Sequence, residues 1–280
     1  MERSAVERTP IASPSVETNE GFLDRRTIAG LTVEQLIYIV VGLIAVFLRT
    51  YDLGIRPYHH DESIHAFFSW RILENGFGEY KYDPVYHGPL LYYSTALMMF
   101  LFGDSDFTAR LSAVVFGLGV IAFAWPLRRY LGRWGALCFL LLVTFSPSWT
   151  YFTRFIRHDI HLALCNLAAV YFAFRYAESR RPLHLYLGAV FFAFAFTNKE
   201  DMYLLTPLFV AALTTMMLWG VVRGEQRLNE AIRETTSFLA RSWLAILTSL
   251  VIFAAIWVLF YTSFGYHPEK WNAVSDALTY

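Results

Sequence analysis

The run Pro89-Leu-Leu-Tyr-Tyr-Ser-Thr-Ala-Leu-Met-Met-Phe-Leu-Phe102 decides how this chain is read. It is apolar enough to enter a bilayer, yet it holds only 14 residues. A helix needs roughly 20 to cross a hydrocarbon core of about 30 Å, so this length predicts an interfacial or re-entrant helix. Longer apolar runs lie around it, near 31–49, 107–127, 133–152, 160–177, 184–198 with its flanks, 202–222 and 242–262. Each of these reads as a span. The whole composition agrees: the 280 residues are 56% hydrophobic and 16% charged, with a mean hydropathy of +0.40. Such values fall outside ordinary soluble domains and fit a multi-spanning membrane protein.

Basic residues arbitrate the topology. With seven spans and the N-terminus inside, the cytoplasmic segments carry Arg25 and Arg26, then Arg128, Arg129 and Arg133, then Arg175, Arg180 and Arg181, then Arg223, Arg227, Arg233 and Arg241. The opposite short turns carry Arg154, Arg157, Lys199 and Lys270. This is the positive-inside pattern. Counting 89–102 as a full span would place Arg128, Arg129 and Arg133 outside.

The predicted fold class is therefore all-α, a polytopic membrane helix bundle of about seven spans. Residues 1–30, polar and rich in Glu, Arg, Ser, Thr and Pro, read as a disordered cytoplasmic tail. Residues 31–262 form the membrane domain, and 263–280 the start of another outer loop. No apolar segment precedes Leu31, so the first span reads as a retained anchor. Residues 50–106 form a large outer loop with interfacial helices. Within it, Asp61–Asn75 predicts an amphipathic helix resting on the membrane through Ile64, Phe67, Phe68, Ile72 and Leu73. Residues 76–88 read as a loop.

Three charged clusters then share the outer face: His59-His60-Asp61-Glu62, Arg157-His158-Asp159 and Asn198-Lys199-Glu200-Asp201. Seven of the eight histidines lie there too, only His184 falling inside. Acids at membrane depth are costly and usually mark function, although each cluster alone is also what a solvated helix end looks like. Water-side carboxylates beside Arg and Lys suit a substrate with a lipid tail and a phosphorylated head. Arg157 offers a bidentate fork to phosphate oxygens and Lys199 a point charge. One carboxylate would take a proton from an acceptor hydroxyl. A second would orient it or help hold a divalent cation such as Mg or Mn, with Asp61, Asp159 and Glu200 as the candidate ligands. Tyr86 and the other outer-loop tyrosines suit stacking on a sugar ring, and interfacial tyrosine is common for other reasons.

At these residues the sequence resembles a family. An outer-loop Asp-Glu is followed by Tyr-x-His-Gly-Pro-Leu-Leu-Tyr-Tyr beginning at Tyr86, then Gly-Asp-Ser-Asp-Phe-Thr-Ala-Arg-Leu (103–111), Ser-Pro-Ser (146–148), Arg-Phe-Ile-Arg-His-Asp (154–159) and Thr-Asn-Lys-Glu (197–200). The order resembles the GT-C membrane glycosyltransferases, the superfamily of protein O-mannosyltransferases and lipid A aminoarabinose transferases. The nearest likeness is to the archaeal-type flippase activity-associated proteins of N-glycosylation. The resemblance implies a GT-C-like bundle in the cell membrane. It also implies inverting transfer of a sugar from a polyprenyl- or dolichyl-phosphate donor to a protein or glycolipid acceptor on the extracytoplasmic face. It implies Asp61 as base with Glu62 beside it, Asp159 in the cavity or metal site, and Lys199, Glu200, His87 and His158 around the donor. Relatives of that kind continue for several more spans, so the chain reads as an N-terminal fragment or a shortened member.

Other readings are weaker. His60 and His65 are five apart, not the four a His-Glu-x-x-His zinc site requires. The net charge of +0 gives no footprint for nucleic acid. Cys138 and Cys165 both fall in apolar runs and read as packing residues. A lipid-linked sugar flippase or a non-catalytic accessory protein remains as the alternative, although charges inside the expected spans are scarce.

Overall fold

The computed structural model describes residues 21–27, 30–224, 228–273 and 275–276. They divide into two units, Met1–Val40 and Val41–Tyr280. Most of the tail expected over 1–30 lies outside the described residues. In the first unit Phe22–Asp24 makes a 3-10 turn and Arg26 bridges to Thr32, ahead of α1 (Val33–Thr50).

The second unit takes over α1 from Val41 and is helical throughout. α2 (His60–Asn75), α3 (Leu90–Phe102), α4 (Asp106–Ala122), α5 (Ala124–Phe145), α6 (Pro147–Phe152), α7 (His158–Ser179), α8 (Pro182–Phe196), α9 (Met202–Val222) and α10 (Leu228–Tyr261) follow in order. Short 3-10 turns lie at Phe77–Glu79, Pro84–Tyr86 and Pro268–Asn272. Among the described residues there is no strand beyond the isolated bridge, so the all-α class holds. α2 packs on α3, α3 on α4, α4 on α7, α7 on α8 and α8 on α10. Two glycines let α4 come close: a Cβ on Gly119 would stand 2.7 Å from Leu164 of α7, and one on Gly117 would stand 2.3 Å from the Thr153 side chain.

Span lengths depart from expectation. Among the described residues five helical stretches are long and apolar enough to cross a membrane: Val33–Thr50, Asp106–Phe145, His158–Ser179, Met202–Gly220 and Ile232–Tyr261. α3 and α8 hold 13 and 15 residues and are shorter. The runs expected at 107–127 and 133–152 are redrawn. α4 stops at Ala122, and α5 begins at Ala124 and kinks at Gly132, whose φ of 70° suits a residue without a Cβ. α5 then ends at Phe145, because Ser146 before Pro147 takes an extended conformation and Pro147 starts a new helix.

That break leaves carbonyls open, and a neighbouring helix closes them. Pro147 has no N–H to give the Val143 carbonyl. Arg49 of α1, fully buried, donates from Nη2 to Val143 O at 2.9 Å. Its Nη1 donates to Thr144 O at 3.4 Å and to Ala45 O at 3.3 Å. An unpaired carbonyl in a membrane costs several kcal/mol, so this arginine acts as a cap supplied from outside the helix it caps. Arg49→Leu should destabilise the detergent-solubilised protein by about 2–3 kcal/mol, with Arg49→Lys recovering part of the loss. Tryptophan fluorescence during thermal unfolding measures it, and an unchanged midpoint would show that the carbonyls find other donors.

Candidate functional site

The site begins at a glycine. Gly88 lies in the turn before α3, next to His87, whose φ of 62° is uncommon for a residue with a side chain. Gly88 donates its N–H to Asn198 O at 3.2 Å, and Leu90 donates to Thr197 O at 2.9 Å. A Cβ on Gly88 would stand 2.3 Å from the Thr197 carbonyl oxygen, so no larger residue fits without displacing backbone. Asn198 Nδ2 donates to His158 O at 2.8 Å, and His158 Nε2 lies 3.2 Å from Gly88 O. Three segments far apart in sequence are thereby tied at one point: the turn before α3, the start of α7 and the turn after α8.

The charged clusters meet around this junction. Arg157 stands between two carboxylates, 4.0 Å from Asp61 and 3.6 Å from Asp159. Lys199 Nζ lies 3.2 Å from Asp159 and 3.2 Å from Asp201. Asp61 and Asp159 occupy the first turns of α2 and α7, where helix dipoles favour negative charge. A cavity of about 260 Å³ opens here, lined by Asp61, Tyr86, His87, Arg157, Asp159 and Lys199, with His65 and His158 among its other walls. The Arg157 carbonyl is itself held, 3.1 Å from His161 Nδ1.

Two of the expected site carboxylates take different places. Glu200 sits behind the cavity wall. Its oxygens bind the Tyr82 hydroxyl at 2.8 Å and His87 Nδ1 at 2.8 Å. Glu200 therefore orients His87, leaving Nε2 as that ring's free nitrogen. Glu62 is buried and points the other way. It binds Arg110 through Nε at 2.9 Å and Nη2 at 3.1 Å. It also accepts from the Ile156 N–H at 3.3 Å and the His59 N–H at 3.2 Å. Arg110 completes the clamp through Nη1, which donates to Leu53 O at 2.9 Å and Arg56 O at 3.0 Å. Glu62 thus fixes the segments that carry Asp61 and Arg157 and does not face the cavity. Among the described residues no group of three His, Cys, Asp or Glu side chains is arranged to hold a metal ion. The proposed ligand set of Asp61, Asp159 and Glu200 does not fit a Mg or Mn ion, because Asp159 is committed to Arg157 and Lys199 and Glu200 to Tyr82 and His87.

Titration follows the same geometry. Burial lowers the pKa of His65 from 6.5 to about 4, and the ring lies 3.0 Å from the Tyr92 hydroxyl through Nδ1. Burial would also lower the Lys199 pKa, but Asp159 and Asp201 outweigh it and hold the ammonium above its ordinary value. Burial, then the charge of Glu200, pushes the Tyr82 hydroxyl well up, so it stays a donor.

Residues 86–258 match the model of the dolichyl-phosphate-mannose-protein mannosyltransferase family. The chain belongs to that family. The matched stretch takes in His87, Gly88, Arg110, Arg157–Asp159 and Lys199–Glu200; Asp61 and Glu62 lie before it and join the site by geometry. The fold is also that of a solved structure, the S. cerevisiae protein O-mannosyltransferase Pmt1-Pmt2 complex bound to the sugar donor. The TM-score is 0.58 at 18% identity, covering 87% of this chain and 35% of that one. No curated protein sequence matches.

Family membership and the bundle agree with a multi-pass membrane glycosyltransferase. Gly88, Arg110 and Asn198 were quoted above only as parts of motifs or clusters; their roles rest on contacts across forty residues or more that no local pattern reveals. Gly88→Ala should cost about 1–3 kcal/mol through overpacking against Thr197 and pull the Lys199 turn away from Arg157. Thermal unfolding would show it, and an alanine variant as stable as the parent would mean the junction yields easily. His65 gives a pH signature. The folded ring binds its proton at about 4 and the unfolded ring at about 6.5. Between those values the unfolded chain holds more protons, so stability falls as pH drops from about 6.5 towards 4, and His65 has no effect above that window. Denaturation of the parent and His65→Gln should show a stability difference that changes with pH inside this window and becomes constant above its upper limit.

Proposed function

We propose that this chain carries the reaction centre of a lipid-phosphate-sugar-dependent glycosyltransferase, with mannose as the sugar the family name suggests. The observation that carries the reading is that Asp61, Arg157, Asp159, Lys199 and His87 line one cavity at the ends of apolar helices. The distribution of basic residues supports an N-terminus in the cytoplasm of a cell membrane and a cavity on the extracytoplasmic side.

The chemistry needs one base and an anion hole. The acceptor hydroxyl oxygen attacks the anomeric carbon, the bond from that carbon to the lipid-phosphate oxygen breaks, and the acceptor proton passes to a carboxylate. Asp61 is the residue for that step: it lines the cavity with its side chain about half-exposed, with Arg157 4.0 Å away and the His60 ring 3.6 Å away. The departing lipid phosphate carries negative charge towards Lys199 and Arg157. Asp159 holds Arg157 and Lys199 in place, and Tyr86 offers a ring face for the sugar. A single displacement with a base and no protein nucleophile gives inversion at the anomeric carbon. No step passes through a metal ion. The acceptor is a hydroxyl of a protein or glycolipid.

Asp61→Asn should lower transfer by at least about 100-fold while a lipid-phosphate-mannose donor still binds. Lys199→Ala and Arg157→Ala should weaken donor binding as well. Transfer of radiolabelled mannose from a synthetic polyprenyl phosphate, run beside a donor-binding assay, separates the two effects; full transfer by Asp61→Asn would remove the proposed base.

A further inference from the structure

A second cavity, larger than the one that gathers the clusters, lies elsewhere in the second unit. It measures about 660 Å³ and lies where α1 ends, α4 begins and α5 gives way to α6. Ligand sites commonly span roughly 300–1,000 Å³. It occupies the opposite face of the first turn of α2: His59 and Glu62 line it, whereas Asp61 and His65 line the other cavity.

Its walls combine three chemistries. Leu48 and Phe145 come from the last turns of α1 and α5, and Tyr58 and Tyr151 add aromatic faces. Three arginines, Arg56, Arg110 and Arg154, bring positive charge. Glu62 neutralises Arg110, which also lies over the Tyr58 ring at 4.7 Å. Arg154 is held by neutral groups, donating to Leu48 O at 2.9 Å and Tyr51 O at 2.6 Å, so its charge is not cancelled there. Asp52 is its acidic neighbour, and Arg56 and Arg110 are its basic ones. Arg56 itself is exposed. Asp106 stands beside Tyr58 and Arg110 outside the lining, so what the cavity offers a phosphate is the exposed Arg56 with Arg154 next to it, against apolar and aromatic walls.

Its depth in the bundle selects the source of that phosphate. α1 and α5 end at its rim, and Phe47, Tyr51, Leu142 and Phe145 beside it turn exposed apolar surface outward. A headgroup seated on the arginines would leave its acyl chains on that surface, at the level where lipid phosphates lie.

We propose that this cavity binds the phosphate of an anionic membrane lipid, at a site separate from the one that transfers sugar. The proposal is independent of the transfer reaction, because it is read by binding alone. The purified chain would be titrated with short-chain phosphatidylglycerol or phosphatidylcholine, and retained lipid counted by native mass spectrometry. Preferential retention of phosphatidylglycerol is expected, with Arg56→Glu and the milder Arg56→Gln each weakening it, the charge reversal by about tenfold or more. Asp61→Asn should leave it unchanged. Equal retention of both lipids, or no effect of either Arg56 variant, would overturn the proposal. Inorganic phosphate that binds as tightly as the lipid and displaces it would assign the arginines to a soluble anion and overturn the lipid source. Displacement by a serine- and threonine-rich peptide with no such effect of phosphate would give the cavity to the acceptor and overturn it as well.

Discussion

One close approach organises the centre of this molecule: the Gly88 backbone lies against Thr197 and Asn198 with no room for a Cβ. Two N–H groups from the turn before α3 find their acceptors on the turn after α8. His158 and Asn198 close the ring from the start of α7. Each polar group at this junction is buried or nearly so and needs a partner away from water. The bonds satisfy one another only if the three segments meet here. The charged residues flanking them, His87, Arg157, Asp159, Lys199 and Glu200, are then carried into place without any of them having to attract the others across the bundle. The ion pairs seen in the cavity are a consequence of the backbone junction more than its cause, because half-exposed pairs contribute little stability.

Buried charge elsewhere repairs breaks in helices and loops. Arg49 answers the carbonyls that Pro147 leaves open. Arg110 answers those of Leu53 and Arg56 in the irregular segment between α1 and α2. In both cases a guanidinium is the suitable donor, because its fork reaches several acceptors at once and keeps its charge when buried. Only Arg110 has a carboxylate partner, Glu62, and that pair is also shared with the N–H groups of His59 and Ile156.

The helical class and the short α3 were legible from apolar run lengths, because length and hydropathy act locally; α2, expected to rest on the membrane through Phe68, Ile72 and Leu73 among others, instead turns these three into the core. Of the expected meeting of Asp61, Asp159 and Glu200, the first two line one cavity with Lys199, whereas Glu200 binds Tyr82 and His87 behind it. The breaks at Phe123, Gly132 and Pro147 were not legible: an apolar run gives the same hydropathy whether or not the helix bends within it. Nor could the sequence separate Glu62 from Asp61 or Glu200 from Lys199 in role. A local pattern does not say which way each of two adjacent side chains points, and only long-range partners, Arg110 for Glu62 and Tyr82 with His87 for Glu200, settle it.

The adjacent pair Asp61-Glu62 shows why that separation is physical. Successive residues on a helix point about 100° apart, so two acids in a row cannot both face one cavity. Here the second is turned into the protein, where burial obliges it to find a cation and N–H donors, and it finds Arg110, His59 and Ile156. The first is left at the cavity, about half-exposed, with the His60 ring 3.6 Å and Arg157 4.0 Å from its oxygens. Exchanging the two residue types would fail on size alone: Asp at 62 is one methylene too short to span Arg110 and the Ile156 N–H together. The order Asp then Glu thus assigns the shorter acid to solvent and the longer one to the clamp, and that clamp also forms the wall between the two cavities.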